Sequence, residues 1–265
     1  MIETAELFPH LEDFRHRSLF DDVSAPWDVL KKLAPYLADS LQKISGDANH
    51  LESHAGLSIT DGSQGSDAGF FVKEWIALDA PTFFPKLGIY LGAGTKLEPS
   101  AIVKGPCVIG NHCDIRQGAY LRGNVIAGDR CTLGHATEIK NSILMNHTEA
   151  GHFNYIGDSI LGSYVNLGAG TKLANLQFRT DEEKLKEFFP QINMPTETGE
   201  ADSGLNKLGS IIGDHSELGC NAVLSPGVVL GAHVWVYPNF TIPKGIYAPR
   251  QILLPRDIKP RNKNR

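Results

Sequence analysis

The stretch L-G-A-G-T-K-L occupies residues 91–97 and returns unchanged at residues 167–173. A glycine-rich phosphate loop would follow a strand and open a helix, and neither copy has that context. Stepping by six from Leu91 instead meets Leu97, Val103, Ile109, Ile115, Leu121, Ala127, Leu133 and Ile139, all aliphatic. The positions that follow include Gly92, Gly110, Gly128 and Gly134, expected to turn the chain sharply with positive φ. After Ile139 the register slips by one to Leu144, continues through Ala150 and Ile156, slips again to Leu161, and resumes at Leu167 and Leu173. A second run covers Ile212, Leu218, Leu224, Leu230, Val236 and Ile242. Both copies of the heptapeptide are therefore rungs of one repeat.

One aliphatic in six fits neither a helix of period 3.6 nor plain alternation. It fits short strands joined by tight corners, three to a coil, with a small aliphatic filling a narrow prism at every rung. The predicted fold class is all-β: a left-handed parallel β-helix with a small N-terminal helical and loop region. Residues 1–85 read as that extension, 86–247 as the coil, 177–205 as an insertion within it, and 248–265 as a basic tail. Leu30, Leu33, Leu37, Leu41 and Ile44 predict a helix over about 25–45, broken or kinked at Pro35. That helix is expected to cap the open first coil, whose strand edges would otherwise be exposed. Residues 46–68 read as loop with one short strand, and Thr180 as the N-cap of a short helix in the insertion.

A chain of 265 residues with 42% hydrophobic content and net charge −5 has an ordinary globular composition. The acidic balance argues against a nucleic-acid partner. No apolar run approaches the roughly 18 residues of a membrane span, and the charged N-terminus does not resemble a signal peptide, so a cytoplasmic protein is expected. Cys107, Cys113, Cys131 and Cys220 have no paired spacing and read as reduced packing residues, with no metal site expected.

Eighteen residues separate equivalent corners, so Lys104, Arg122 and Lys140 should stack on one face, one strand spacing apart. Stacked cations repel unless an anion binds across them, which makes Arg122 and Lys140 candidates for a phosphate site. The register slips bracket His152 and Tyr155, near Glu138, Lys140, Asn166 and Asn175. A histidine so placed is a candidate general base.

Residues 121–175, LRGNVIAGDRCTLGHATEIKNSILMNHTEAGHFNYIGDSILGSYVNLGAGTKLAN, resemble the acetyltransferase half of the bacterial bifunctional N-acetylglucosamine-1-phosphate uridyltransferase and glucosamine-1-phosphate acetyltransferase. The resemblance covers about residues 98–245. It implies a homotrimer and an acetyl-CoA dependent N-acetyltransferase acting on an amino sugar 1-phosphate, most simply glucosamine 1-phosphate, in nucleotide-sugar synthesis. By motif position it places the sugar phosphate on Arg122, Lys140, Tyr155, Asn166 and Lys207, and the base on His152. Asn175 falls where the amine and acetyl groups are contacted, Ala169 where a backbone N–H meets the acetyl carbonyl, and Cys220 where the family has a serine in the acetyl-CoA region. Glu138 would support His152 as a triad's third member. Leu176 replaces a tyrosine, and the insertion at 177–205 departs from the bacterial pattern. Nucleotidyl transfer is not expected, because only residues 1–85 precede the coil.

Two other readings come from different classes. A zinc hydrolase of the γ-carbonic anhydrase kind would use His112, His147 and His152, the last two spaced H-x4-H, but leaves Arg122, Lys140, Tyr155 and Asn175 without a role. A trimeric binding or regulatory module would keep the sugar-phosphate pocket without catalysis.

Overall fold

The computed structural model describes residues 3–60, 62, 68–196 and 199–255. Short strands wind into a triangular left-handed β-helix whose three flat faces are, among the described residues, parallel sheets of ten, nine and nine strands with a few antiparallel strands at the start. Successive strands visit them in fixed order: Ile89–Leu91 lies in sheet I, Lys96–Leu97 in sheet II, Ile102–Lys104 in sheet III, and Cys107–Ile109 in sheet I again. Ile115 pairs with Leu97 below and Leu133 above, which is the expected step of one coil. Leu97, Val103, Ile109, Ile115, Leu121, Leu133 and Ile139 are all buried along the prism axis, each removing most of its apolar side chain from water at about 1.5–3 kcal/mol.

The glycines act differently from expectation. Gly92, Gly110, Gly128 and Gly134 do not adopt positive φ; the left-handed corners fall instead on His112, Arg130, Ala136, His147, Phe153 and Tyr164. A Cβ on Gly92 would lie 2.5 Å from the carbonyl carbon and oxygen of Gly110 one coil on. The repeat glycine is therefore required by close stacking of coils, and the residue two positions later absorbs the turn. Where left-handed residues stack at the corner between sheets I and II, their rings form a column: His147 to Tyr164 at 4.6 Å, Tyr164 to His215 at 4.8 Å and His215 to His233 at 4.8 Å.

The register slips are corners shortened by one residue. Ile139 pairs with Ile156 and Ile156 with Leu173, steps of seventeen in place of eighteen. The first is absorbed between Lys140 and Ser142, where Asn141 alone makes the corner from sheet III to sheet I with φ 45°. The insertion leaves and rejoins at the same corner without disturbing the ladder, since Lys172 pairs with Val223 across it. It holds the helix Asp181–Leu185, whose N-cap Thr180 forms a reciprocal capping box with Glu183, and an antiparallel hairpin of Asn193–Thr196 and Gly199–Asp202 that the sequence pattern did not indicate.

The helix Asp28–Ile44 runs through Pro35 without breaking. It does not cap the first coil. It lies along the outer side of sheet I, where Leu33 and Leu37 are fully buried in one cluster with Val108, Ile126, Ile143, Ile160, Ile211 and Val229, while Ile192 and Met194 from the insertion cover the same sheet. The first coil is closed instead by strands that follow the expected loop region: Gly69–Val72 pairs antiparallel with Ile102–Lys104, and Ile76–Ala77 with Lys96–Leu97. A turn of helix has no row of backbone donors to offer a strand edge, whereas these strands do. His10 ties the N-terminal segment to the coil, with its Nε2 2.9 Å from Nε2 of His215 and its backbone N–H donating to Asp214 at 2.8 Å. Ile252–Leu253 still pairs with Trp235–Val236, so the coil extends into the expected tail, whose residues 256–265 lie outside the described residues. Among the described residues no helix is long and apolar enough to cross a membrane. Cys107, Cys113 and Cys131 are buried packing residues, and burial pushes the Cys107 thiol up to about 12.

Candidate functional site

On sheet III the middle residue of each strand points into the prism and its neighbours point out. Register then places Tyr120, Glu138, Tyr155 and Lys172 in one outward column and Lys104 beside Arg122 in the next. Lys140 continues that second column. The stacked cations do not face one another unpaired: Nη1 of Arg122 donates to Oε1 of Glu138 at 2.7 Å, and Nζ of Lys140 lies 3.4 Å from Oδ2 of Asp158. The hydrogen bond to Glu138 raises the Arg122 guanidinium above its ordinary range. Glu138 thus engages Arg122, not His152 as expected.

Asp158 is the centre of this face, and the sequence reading passed over it. It is buried and left-handed at φ 49°, in the corner created by the second register slip. Its carboxylate accepts from Nδ2 of Asn141 at 2.8 Å and from Nδ2 of Asn175 at 2.5 Å, besides facing Lys140. The hydroxyl of Tyr155 donates to Oδ1 of Asn175 at 3.2 Å, so the amide is held at both ends and its orientation is decided. Burial, followed by the Glu138 and Asp158 carboxylates, raises the Tyr155 phenol and keeps it a donor. Gly157 leaves room for this convergence, because a Cβ there would stand 2.7 Å from Nδ2 of Asn175 and 2.8 Å from the Tyr155 hydroxyl. Backbone bonds from Leu208 N–H to the Asn175 carbonyl and from Gly209 N–H to the Asp158 carbonyl bring the end of the insertion, with Lys207, to the same place.

His152 ends the strand Glu149–His152 and is exposed at the corner between sheets II and III. Its carbonyl accepts from Gly170 N–H at 3.0 Å, and the Ala169 carbonyl accepts from Asn221 N–H at 2.8 Å. His152, Ala169 and the exposed Cys220 therefore form one ridge on three successive coils, bordering the face that carries Glu138 and Tyr155. Asn166 is the exception. It lies on sheet II, donating to Glu217 at 2.8 Å, beside a cavity of about 370 Å³ between His147, Tyr164 and His215. A corner of the prism separates it from the Arg122 and Lys140 cluster within one chain. His112 and His147 turn at the corner between sheets I and II and His152 at the next, which divides the alternative zinc set between two edges. The described residues contain no group of three or more His, Cys, Asp or Glu side chains suited to a metal ion.

Asp158 could have been found from the slips themselves. A repeat shortened at two successive corners places two corner residues, Asn141 and Asp158, directly over one another, and both carry polar side chains.

Fold and ridge together define a hexapeptide-repeat β-helix that resembles the acetyltransferase half of bifunctional sugar-phosphate enzymes. Residues 102–188 match the family described as GMPPB C-terminal domain. The bifunctional sugar-1-phosphate nucleotidylyltransferase/acetyltransferase of Sulfurisphaera tokodaii is 31% identical over 193 residues, covering 66% of this chain and 44% of that protein. Bifunctional protein GlmU of Methanococcus vannielii is 27% identical over 246 residues, 93% of this chain and 49% of its own length. The corresponding protein of Methanococcus aeolicus is 30% identical over 234 residues, 82% and 54%. The chain spans about half the length of the curated relatives it matches.

Proposed function

We propose that the protein is an acetyl-CoA dependent N-acetyltransferase acting on an amino sugar 1-phosphate, with glucosamine 1-phosphate as the first acceptor to test. The observation that carries this reading is the cluster in which Tyr155, Asn175, Asp158 and Lys140 hold one another on sheet III, next to the ridge of His152 and Ala169. Lys140, Lys207 and Arg122 supply positive charge at one end of that face for the phosphate. At the other end Nδ1 or Nε2 of neutral His152 takes the proton from the acceptor's ammonium, leaving its lone pair free to attack the thioester carbonyl. The amine adds to the thioester carbonyl; as that adduct collapses the C–S bond breaks, and the second proton of the nitrogen passes to the departing sulfur, giving the amide and the coenzyme A thiol. The backbone N–H of Ala169 stabilises the charge developing on the carbonyl oxygen. An extended thioester fits the ridge, which is open along its length through Cys220 to Tyr237, both exposed.

A homotrimer belongs to the same reading. Sheet I is covered on its outside by residues of the same chain, which leaves sheets II and III for neighbouring copies. Side-by-side packing would bring Asn166 on sheet II of one copy toward sheet III of the next, and so give it a part in the site. A cytoplasmic setting follows from the same substrates.

The deciding measurement is thiol release from acetyl-CoA with glucosamine 1-phosphate. Wild-type protein should turn over, and His152→Ala should lose about 100-fold or more, the usual scale for a general base. An equal rate in the variant would move the base elsewhere. A folded wild type inactive with both glucosamine and galactosamine 1-phosphate would favour a binding module.

A further inference from the structure

The cations gathered around this site are not equivalent. Arg122 is neutralised by Glu138 and Lys140 by the buried Asp158, so an incoming phosphate would have to compete with carboxylates already in place. Two other cations face no such competition. Cζ of Arg179 lies 4.0 Å from the centroid of the Phe189 ring, and Nζ of Lys207 lies 5.8 Å from the same centroid. Among the described residues neither has a carboxylate within ion-pair distance; the other contact of Arg179 is a long bond from Nη1 to the Phe188 carbonyl at 3.5 Å. Both sit at the base of the insertion. Gln177 donates from Nε2 to the Gln191 carbonyl at 3.2 Å, and Asn206 from Nδ2 to the Phe189 carbonyl at 3.1 Å, which draws Arg179, Phe189 and Lys207 together. Leu208, next to Lys207, is bonded to Asn175, so this base adjoins the Tyr155, Asn175 and Asp158 cluster.

Each cation is favourable at the Phe189 ring, and among the described residues neither charge is offset by a carboxylate. A dianionic phosphate would offset both, with the planar fork of Arg179 able to grip two oxygens and the Lys207 ammonium a third. We propose that Arg179, contributed by the insertion, is a phosphate-binding residue that works with Lys207 on a Phe189 platform, and that this pair receives the acceptor's phosphate. The role of the phosphate as part of an amino sugar rests on the function proposed above; the anion subsite itself does not. Arg122 and Lys140, each already paired with a carboxylate, complete the positive end of the face beside it. The insertion becomes a specificity element, selecting phosphorylated acceptors over the free amino sugar.

The test is calorimetric binding of glucosamine 1-phosphate and of inorganic phosphate to the full chain, as wild type, Arg179→Ala, Arg179→Lys and Phe189→Leu. Arg179→Ala should weaken both ligands by about 10-fold or more, the scale of a lost charge-assisted contact, and Arg179→Lys should recover part of it. Phe189→Leu should weaken both more modestly, with the thermal midpoint of the coil unchanged. Binding to Arg179→Ala within twofold of wild type would overturn the subsite while leaving acyl transfer untouched. A wild type that binds phosphate through Arg179 yet releases no thiol would uphold the subsite and remove the acyltransferase reading. A wild type that binds neither ligand would overturn the subsite.

Discussion

Asp158 shows how much of this site rests on a single buried carboxylate. It receives one ammonium and two amide donors at once, and through Asn175 it also aims the Tyr155 hydroxyl. Replacing it by asparagine keeps the shape but turns one end of the acceptor into a donor, pointed at Asn175, Asn141 or Lys140. Asp158→Asn should therefore cost about 1–3 kcal/mol in urea unfolding, the usual penalty of unsatisfied buried groups. It should also lower kcat/KM with glucosamine 1-phosphate by roughly 10-fold or more, because Asn175, placed beside the reacting groups in the proposed function, is no longer held. Unchanged stability and rate would show the cluster to be incidental. At this scale the sequence reading named most of the residues that the fold gathers around Asp158. His152, Ala169, Tyr155, Asn175, Lys140 and Lys207 are brought to one face and its borders, since solenoid neighbours lie one coil apart and spacing predicts adjacency. It assigned Glu138 to the wrong partner, because a side chain's choice between Arg122 and His152 depends on which way each points from the corner.

At the scale of the element, the coil is held together by backbone proximity as much as by its aliphatic core. A Cβ on Gly110 would lie 2.5 Å from the Asp129 carboxylate, which the Asn111 N–H holds at 2.7 Å, and 2.6 Å from the Gly128 backbone, which cannot move aside. Gly110→Ala should destabilise the coil by about 1–3 kcal/mol or somewhat more, the cost of overpacking a rigid contact, and lower the thermal midpoint accordingly. An unaltered midpoint would mean that the coils can separate locally at little cost. The sequence pattern marked this glycine correctly but for another reason, since positive φ and close approach leave the same signature in one letter. It also foresaw the Thr180 cap, a local motif, and missed the hairpin Asn193–Thr196 with Gly199–Asp202, whose residues lack the alternation that announces a strand.

On the scale of the whole molecule, the N-terminal segment is fastened to the flank of the coil through groups that titrate. His16 is buried, its Nδ1 3.0 Å from the Tyr36 hydroxyl. Burial, with a smaller push from Arg15 and an opposing pull from Asp129, lowers its pKa from 6.5 to about 4. Between those values the unfolded chain binds a proton that the folded chain refuses, so stability falls as pH drops through that window. From pH 7 to pH 5 the loss from this group is about 2 kcal/mol. Urea unfolding should show wild type losing roughly that much more than His16→Gln over the same interval, and parallel pH profiles for the two proteins would contradict the assignment.

The amino-acid sequence by itself determined the period, the interior residues, the corners and the order in which side chains stack, because in a solenoid each coil contacts only the coils next to it and a fixed offset along the chain is a contact in space. Tertiary structure alone decided that the helix covers sheet I while strands close the first coil. It also decided that Asn166 belongs to a different face from Lys140, and that Arg179 and Lys207 meet on Phe189. Those outcomes depend on contacts without a fixed offset, such as His10 with His215 and Asn146 with the Asp13 carbonyl, and on the direction in which side chains leave a corner. No period in the sequence carries either.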